Sequence, residues 1–374
     1  MALSRIFYFV VTTVALTLAM AIIGIRSAWT FPENVRHGYQ SCATCHYSPS
    51  GGGVLTPYGR SLSKELISTW AWEGEERALY AFDSGSFWDL GGNVRFLQLY
   101  TNDEIRERAR FFPMQMDVEP VLHAGRWAAV GTLGVHRQKN ETNTYETEFL
   151  SRRHYLLFQA TDEWHVRTGR FFPQFGIMIP DHNRLSRRQL GFDHGQETLN
   201  LELGFASANV EVFLTAVFDQ YRVNLKENRQ GAVASAAWLL QRSKVGLSVY
   251  RLTDPSQTRA ARSVWAQIGF NERVFLLSEI SHMSDKPKAS GADASHALVA
   301  GGLLGYEAIR GFIPYGVFEW EQVEVGASQR VTDVQGIGVQ WLPRPHWEVK
   351  LELQKRHSPT LDADWAFLLV HFYL

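Results

Sequence analysis

Residues 346–354 read His346-Trp347-Glu348-Val349-Lys350-Leu351-Glu352-Leu353-Gln354. In an extended chain Trp347, Val349, Leu351 and Leu353 point one way, while Glu348, Lys350, Glu352 and Gln354 point the other. That period of two belongs to a strand with one apolar and one polar face. The pattern recurs back along the chain. Leu199, Leu201, Leu203 and Phe205 oppose Asn200, Glu202 and Gly204; Val264, Ala266, Ile268 and Phe270 oppose Trp265, Gln267 and Gly269. Met116, Val118, Pro120 and Leu122 oppose Gln115, Asp117, Glu119 and His123. No stretch after Phe87 keeps a helical period.

A soluble sandwich also alternates, so the connections must decide. About sixteen strands are predicted, starting near Trp88, Phe112, Arg126, Ser151, Trp164, Glu197, Ala208, Gly231, Ser243, Ala261, Arg273, Ser295, Gly311, Val331, Pro345 and Asp364. Short connections fall at Gly125, Asp162-Glu163, Ser207, Arg242, Asn271-Glu272, Arg310 and Pro343-Arg344-Pro345. Long ones are expected at 138–150, 173–196, 221–229, 254–259, 285–294 and 323–330. Short turns alternating with long loops around an even strand number form the pattern of a transmembrane β-barrel; Greek-key crossovers have no reason to alternate so regularly. The chain ends inside an aromatic-rich strand, as a closing barrel requires, although its last residue is Leu374. The predicted fold class is all-β: a transmembrane antiparallel β-barrel of about 16 strands over residues 88–374, preceded by a short plug at 29–87. An even strand count brings the plug in from the short-turn, periplasmic side.

Bulk properties agree without deciding. The 374 residues are 45% hydrophobic, 20% charged and 13% aromatic, with a formal net charge of -1. Near-neutrality gives no reason to expect a nucleic-acid partner. Arg5 followed by the apolar run 6–25 reads as an export signal over residues 1–28, expected to be removed after Ala28, although Arg26 makes a mediocre cleavage site. The run is also long enough for an uncleaved anchor.

There are only 2 cysteines, so a disulfide framework is excluded. They stand in Cys42-Ala43-Thr44-Cys45-His46. Two thiols on one turn add to the two vinyl groups of haem and the adjacent imidazole takes the iron, chemistry that needs this order and spacing. A thioredoxin-type cysteine pair wants a βαβ setting that the pattern lacks, and zinc wants further ligands at matching spacing. One covalent haem c on Cys42, Cys45 and His46 is therefore the expected cofactor. A plug of fewer than 60 residues with sparse apolar positions buries little surface, so haem and the barrel wall must support it.

After the motif, Ser48-Pro49-Ser50-Gly51-Gly52-Gly53 reads either as backbone that passes close to a flat macrocycle or as an ordinary flexible loop. Tyr58 and Arg60, in Thr56-Pro57-Tyr58-Gly59-Arg60, are candidates to contact the ring or its propionates. The sixth iron position stays open between three readings. One is His37, the only other histidine of the plug; another is a barrel Met or a His such as His123, His136, His154, His165, His182 or His194; the last is a vacant or water-bound site. The loop Gly169-Arg170-Phe171-Phe172-Pro173-Gln174-Phe175-Gly176, running on to Pro180-Asp181-His182, Arg184, Arg187 and Arg188, either folds inward with its arginines toward an anion or stays a solvated outer loop.

The order of parts, together with residues from Pro32 to Arg60, resembles the fused monohaem cytochrome–porins of the outer membrane, the group that includes the proposed iron oxidases of iron-oxidising bacteria. The resemblance implies haem held by Cys42, Cys45 and His46 inside a barrel in outer-membrane lipid. It also implies electron transfer between an extracellular donor or acceptor and a periplasmic c-type cytochrome. If the protein is an enzyme, it implies an outer-membrane oxidoreductase such as an Fe(II) oxidase. The Ser48–Gly53 insert and the lack of acidic metal-gathering motifs depart from that group, so the substrate does not carry over. The strings at 169–173 and 180–182 resemble general porins. Two alternatives remain: a porin for small or anionic solutes with a haem plug, and a sleeve around a separate multihaem cytochrome.

Overall fold

The computed structural model describes residues 32–78, 80–103, 105–139, 145–181, 184–192, 196–219, 229–359 and 362–374. The predicted signal at 1–28 lies outside them, as do His182 and His194; the side chain of His136 is also outside what is described.

Sixteen antiparallel strands close into a barrel. They are β1 (Trp88–Asp103), β2 (Glu107–Ala124), β3 (Trp127–Gly131 and Leu133–Lys139), β4 (Tyr145–Leu150 and His154–Gln159), β5 (Trp164–Phe171), β6 (Thr198–Ala206), β7 (Val210–Asp219), β8 (Gln230–Leu240), β9 (Ser243–Thr253), β10 (Gln257–Gly269), β11 (Val274–Pro287), β12 (Ser295–Tyr306), β13 (Phe312–Val325), β14 (Ser328–Trp341), β15 (Trp347–His357) and β16 (Ala363–Tyr373). β3 and β4 are each interrupted but pair as continuous partners, since both pieces of one meet both pieces of the other. Each strand pairs with the next, and β16 returns to β1 from Asn93 opposite Tyr373 to Asp103 opposite Ala363. Closure removes every edge.

The alternation read from the sequence sets the two faces. On β15, Glu348, Lys350, Glu352 and Gln354 are buried toward the lumen, while Leu351 and Leu353 are about half exposed on the outside. On β6, Asn200 and Glu202 are sealed inside and Leu199, Leu201 and Leu203 face out. An aromatic girdle marks the short-turn end: Trp127 packs on Phe158 at 4.4 Å, Trp164 on Phe205 at 4.8 Å and Trp347 on Phe372 at 5.1 Å, all on the outer surface. Amphipathic rings at that level belong at a membrane interface.

The loops differ from expectation in one respect. The connections expected to be long at 254–259 and 323–330 are the tight turns 254–256 and 326–327, and Gln138, Lys139 and Tyr145–Leu150 of the loop expected at 138–150 are paired strand, because the strand ladders run on past the apolar band. Beyond that band both faces of a strand meet water, so hydropathy stops alternating while backbone pairing continues.

Residues 32–87 seat in the short-turn mouth. Arg36 donates to the Glu272 carbonyl at 3.1 Å and pairs with Glu307 at 3.1 Å; Gln40 donates to the Ser243 carbonyl at 3.2 Å; Thr69 N–H donates to the Leu342 carbonyl at 2.8 Å. Every one of those partners sits in or beside a short turn.

Candidate cofactor site in the barrel mouth

The two cysteines and the histidine share one tight turn. Residues Cys42–Thr44 form a single 3-10 turn, with the Cys45 and His46 amides donating to the Cys42 carbonyl at 3.2 and 3.0 Å. Behind it, the helix α1 (Pro57–Leu62) opens with Thr56 capping the Gly59 amide at 3.1 Å and Pro57 at its first position. A Cβ on Gly59 would stand 2.4 Å from the Cys45 carbonyl oxygen, so only glycine lets α1 press on the motif.

Gly51, Gly52 and Gly53 all have positive φ, between 70° and 83°. They fold the Ser48–Gly53 stretch against the lumen wall, where Arg167 donates to Ser48 Oγ and Ser50 Oγ at 3.0 and 3.1 Å. A Cβ on Gly51 would come within 3.1 Å of Cys42 Sγ.

Cys42, His46 and the three glycines line a partly open cavity of about 240 Å³, shared with Arg95, Arg153, Lys244 and His371 of the wall and with Met178 and Arg187 of the long loop. Cys45 packs with Tyr39 and Leu55, which also line it. Burial, more than the opposing Gly53 backbone, pulls the His46 imidazole down to about 4, and its Nδ1 is sealed from solvent without a hydrogen-bond partner. Burial likewise pushes the Cys42 thiol up to about 11, against the attraction of Lys244. The Cys42 thiol and a neutral, under-satisfied imidazole on the cavity, with Cys45 packed directly behind them on the same turn, fit a thioether-bound haem.

The remaining sequence candidates are used differently. Arg60, 2% exposed, is held by Asp89 at 2.6 Å and by the Leu90 carbonyl at 2.5 Å. It clamps the segment to β1 and does not line the cavity. Tyr58 is half exposed, its hydroxyl against that of Tyr39. His37 faces Glu307 at 3.6 Å, and it too is absent from the cavity wall. Tyr58, Arg60 and His37 thus have protein partners outside the cavity lining, and neither the ring contacts nor the distal role expected of them is seen in these contacts. His123 stacks on Tyr47, His154 meets Ser151, and His165 sits on Glu202.

Sequence reasoning missed Met178, His371 and Lys244 as cavity residues. His371 is held on both nitrogens, by Glu348 at 2.9 Å and Asn93 at 3.0 Å, and Lys244 by Glu211 at 2.5 Å. The Met178 thioether has only a long contact, 3.6 Å from Arg187 Nη1. Inward register on β9 and β16 could have signalled Lys244 and His371; nothing in the sequence singles out Met178.

The described residues of the loop between β5 and β6 fold into the lumen. Its helix α2 (Leu185–Gln189) is pinned by Arg184, which donates to both carboxylate oxygens of Glu352 at 2.9 and 2.8 Å, and by the Leu185 amide on Glu319 at 2.8 Å. Asp181 pairs with Lys350. With the N-terminal segment entering from one end and this loop from the other, wall residues such as Glu119, Arg167 and Glu202 are wholly excluded from solvent.

Among solved structures, a loop-L8 deletion mutant of OmpT from Vibrio cholerae matches 78% of this chain and all of its own, with a TM-score of 0.63 at 11% identity. The outer membrane channel DcaP of Acinetobacter baumannii matches 78% of this chain and 99% of its own (TM-score 0.56, 11% identity). An anion-selective porin from Comamonas acidovorans matches 77% and 99% (TM-score 0.56, 10% identity). The barrel has the porin fold. No protein-family model and no curated protein matches the sequence. The porin barrel's share of the chain is about that of residues 88–374, and the inward loop shares a cavity with the cysteine-bearing segment inside it.

Proposed function

We propose that this porin-fold barrel lies in the bacterial outer membrane, holds one covalent haem c in its periplasmic mouth, and passes electrons between an extracellular donor or acceptor and a periplasmic c-type cytochrome. The observation that carries the reading is the cavity that Cys42 and His46 share with the barrel wall and the inward loop. The girdle of outward Trp and Phe at the short-turn end supports the membrane placement.

Bound there, haem supplies a one-electron site inside an insulating bilayer. Cys42 and Cys45 would tether it, neutral His46 would take the iron, and the Met178 thioether is the cavity ligand with the weakest prior engagement. Arg95, Arg153, Arg187 and Lys244 would face its propionates, and the burial of the surrounding wall keeps bulk water away. Were the external partner Fe(II), the protein would act as an outer-membrane iron oxidase.

Proteoliposomes enclosing oxidised cytochrome c, with Fe(II) or dithionite outside, test the reading. Holo-protein should reduce the enclosed cytochrome; haem-loaded vesicles that leave it oxidised under both reductants contradict electron transfer. A solute porin is the second reading, favoured by the likeness to an anion-selective porin and by the arginines of the inward loop. Planar-bilayer recordings separate the two, since a filled lumen should pass little ionic current and an open porin a large one.

A further inference from the structure

A porin lumen is ordinarily polar. On the outer half of β16, β1 and β2 it is not. Arg95 and His371 are cross-strand partners that both line the central cavity, which fixes the inward register. Two residues further out on each strand, Leu97 stands opposite Leu369 and Phe112, and then Leu99 opposite Phe367, with Trp365 beyond. These six side chains line one pocket of about 420 Å³, next to the cofactor cavity and sharing Arg95, Pro180 and Glu348 with it. Apolar surface left facing luminal water costs roughly 25 cal/mol per Å², so an apolar wall here implies something to cover it.

Three cations border that wall: Arg95, Arg188 and Arg356. None makes an ion pair among the described residues. Arg95 donates to the Pro180 carbonyl and Arg356 to the Gln354 side chain, but Arg95 Nε and Arg356 Nη2 are sealed from solvent with no partner. Arg356 also lies over the Trp365 ring at 4.0 Å. The pocket's two carboxylates are already committed, Asp181 to Lys350 and Arg184, and Glu348 to His371. Unpaired guanidinium groups beside a greasy wall recognise a molecule with an apolar body and one negative end.

We infer that the outer lumen binds a soluble aromatic carboxylate, its rings against Phe112, Trp365 and Phe367 and its charge on Arg188 and Arg356. The inference stands apart from haem attachment, since none of these groups belongs to the cysteine-bearing segment. Its position beside the cofactor cavity would bring such an anion to the same place as an external electron partner.

The full chain in phosphatidylcholine nanodiscs is titrated calorimetrically with 2-naphthoate, with 2-naphthalenemethanol and acetate as comparators. Naphthoate should bind at least about tenfold more tightly than either, the scale of one charge-assisted contact. Arg356→Gln should lower that affinity by a similar factor, as should Arg188→Gln, which lies on the loop and serves if the first variant fails to close its barrel. Repeating the titration with Cys42→Ala/Cys45→Ala separates it from haem. Equal binding of alcohol and carboxylate, unchanged affinity in a folded arginine variant, no naphthoate binding, or a co-purified lipid acid filling the site would each overturn the inference.

Discussion

Arg60 and Asp89 meet at 2.6 Å with 2% and 1% of their side chains exposed, and this buried pair ties the cysteine-bearing segment to the first barrel strand. Tyr47 adds a hydrogen bond to the same carboxylate at 3.1 Å. Removing one partner of such a pair strands the other charge and costs about 3–5 kcal/mol. Asp89→Ala should therefore loosen residues 32–87 while the barrel stays closed. Limited trypsin digestion reads this, with faster cleavage in the segment and an unchanged heat-modifiable barrel band on gels; equal protection of both proteins would argue against the clamp.

Met178 is expected to tune the proposed cofactor from the inward loop. Thioether ligation raises a haem potential relative to a second imidazole. Met178→His should lower the midpoint potential and give a bis-imidazole spectrum, while Met178→Ala should change the spectrum without loss of covalent haem. A potential and spectrum indifferent to both changes would exclude the residue.

Acid should release the segment before it opens the barrel. Burial lowers His46 and His346 to about 4 each, and both rings are neutral in the folded protein. The unfolded chain takes up these protons near pH 6.5, so between about 6.5 and 4 it binds more protons than the native state. Stability from these groups is whole above 6.5 and is lost as pH falls toward 4. His346 is sealed, neither ring nitrogen has a hydrogen-bond partner, and its φ is 69°; Asn tolerates that backbone. In haem-free protein, His346→Asn should flatten the rise in proteolysis between pH 7 and 4.5, a slope that a purely structural role would leave alone.

The inward loop is latched by Arg184 on Glu352. Glu352→Ala strands the guanidinium and should free the loop, raising single-channel conductance several-fold over a low native value. Native-like current from a folded Glu352→Ala barrel would mean that the latch does not govern the lumen.

The barrel was legible because lipid and lumen impose opposite demands on alternate residues. Glu352 and Leu353 could be assigned to faces from sequence alone, and twelve of the sixteen expected strand starts lie within two residues of the observed ones, while the strands expected near Phe112, Ser151, Ala261 and Val331 begin three to six residues earlier. Loop lengths at 254–256 and 326–327 were not, because Gln257, Gln329 and Arg330 pair in strands where neither face meets lipid. The turn at Cys42–His46 was legible from spacing. The roles of Tyr58 and Arg60 were not, since a short polar segment gives no period, and its partners, such as Asp89, are set by where it docks. The apolar wall at Leu97 and Leu99 was hidden by a bulge between Arg95 and Phe96, which breaks the simple alternation on its partner β2.

The central claim is that haem is bound through Cys42 and Cys45. Intact mass and in-gel haem staining of the denatured protein, produced with a cytochrome c maturation system, test it most directly. The native chain should carry the mass of one haem and stain after denaturation, and Cys42→Ala/Cys45→Ala should carry none. A native chain of unmodified mass, or staining that survives the double substitution, would contradict it.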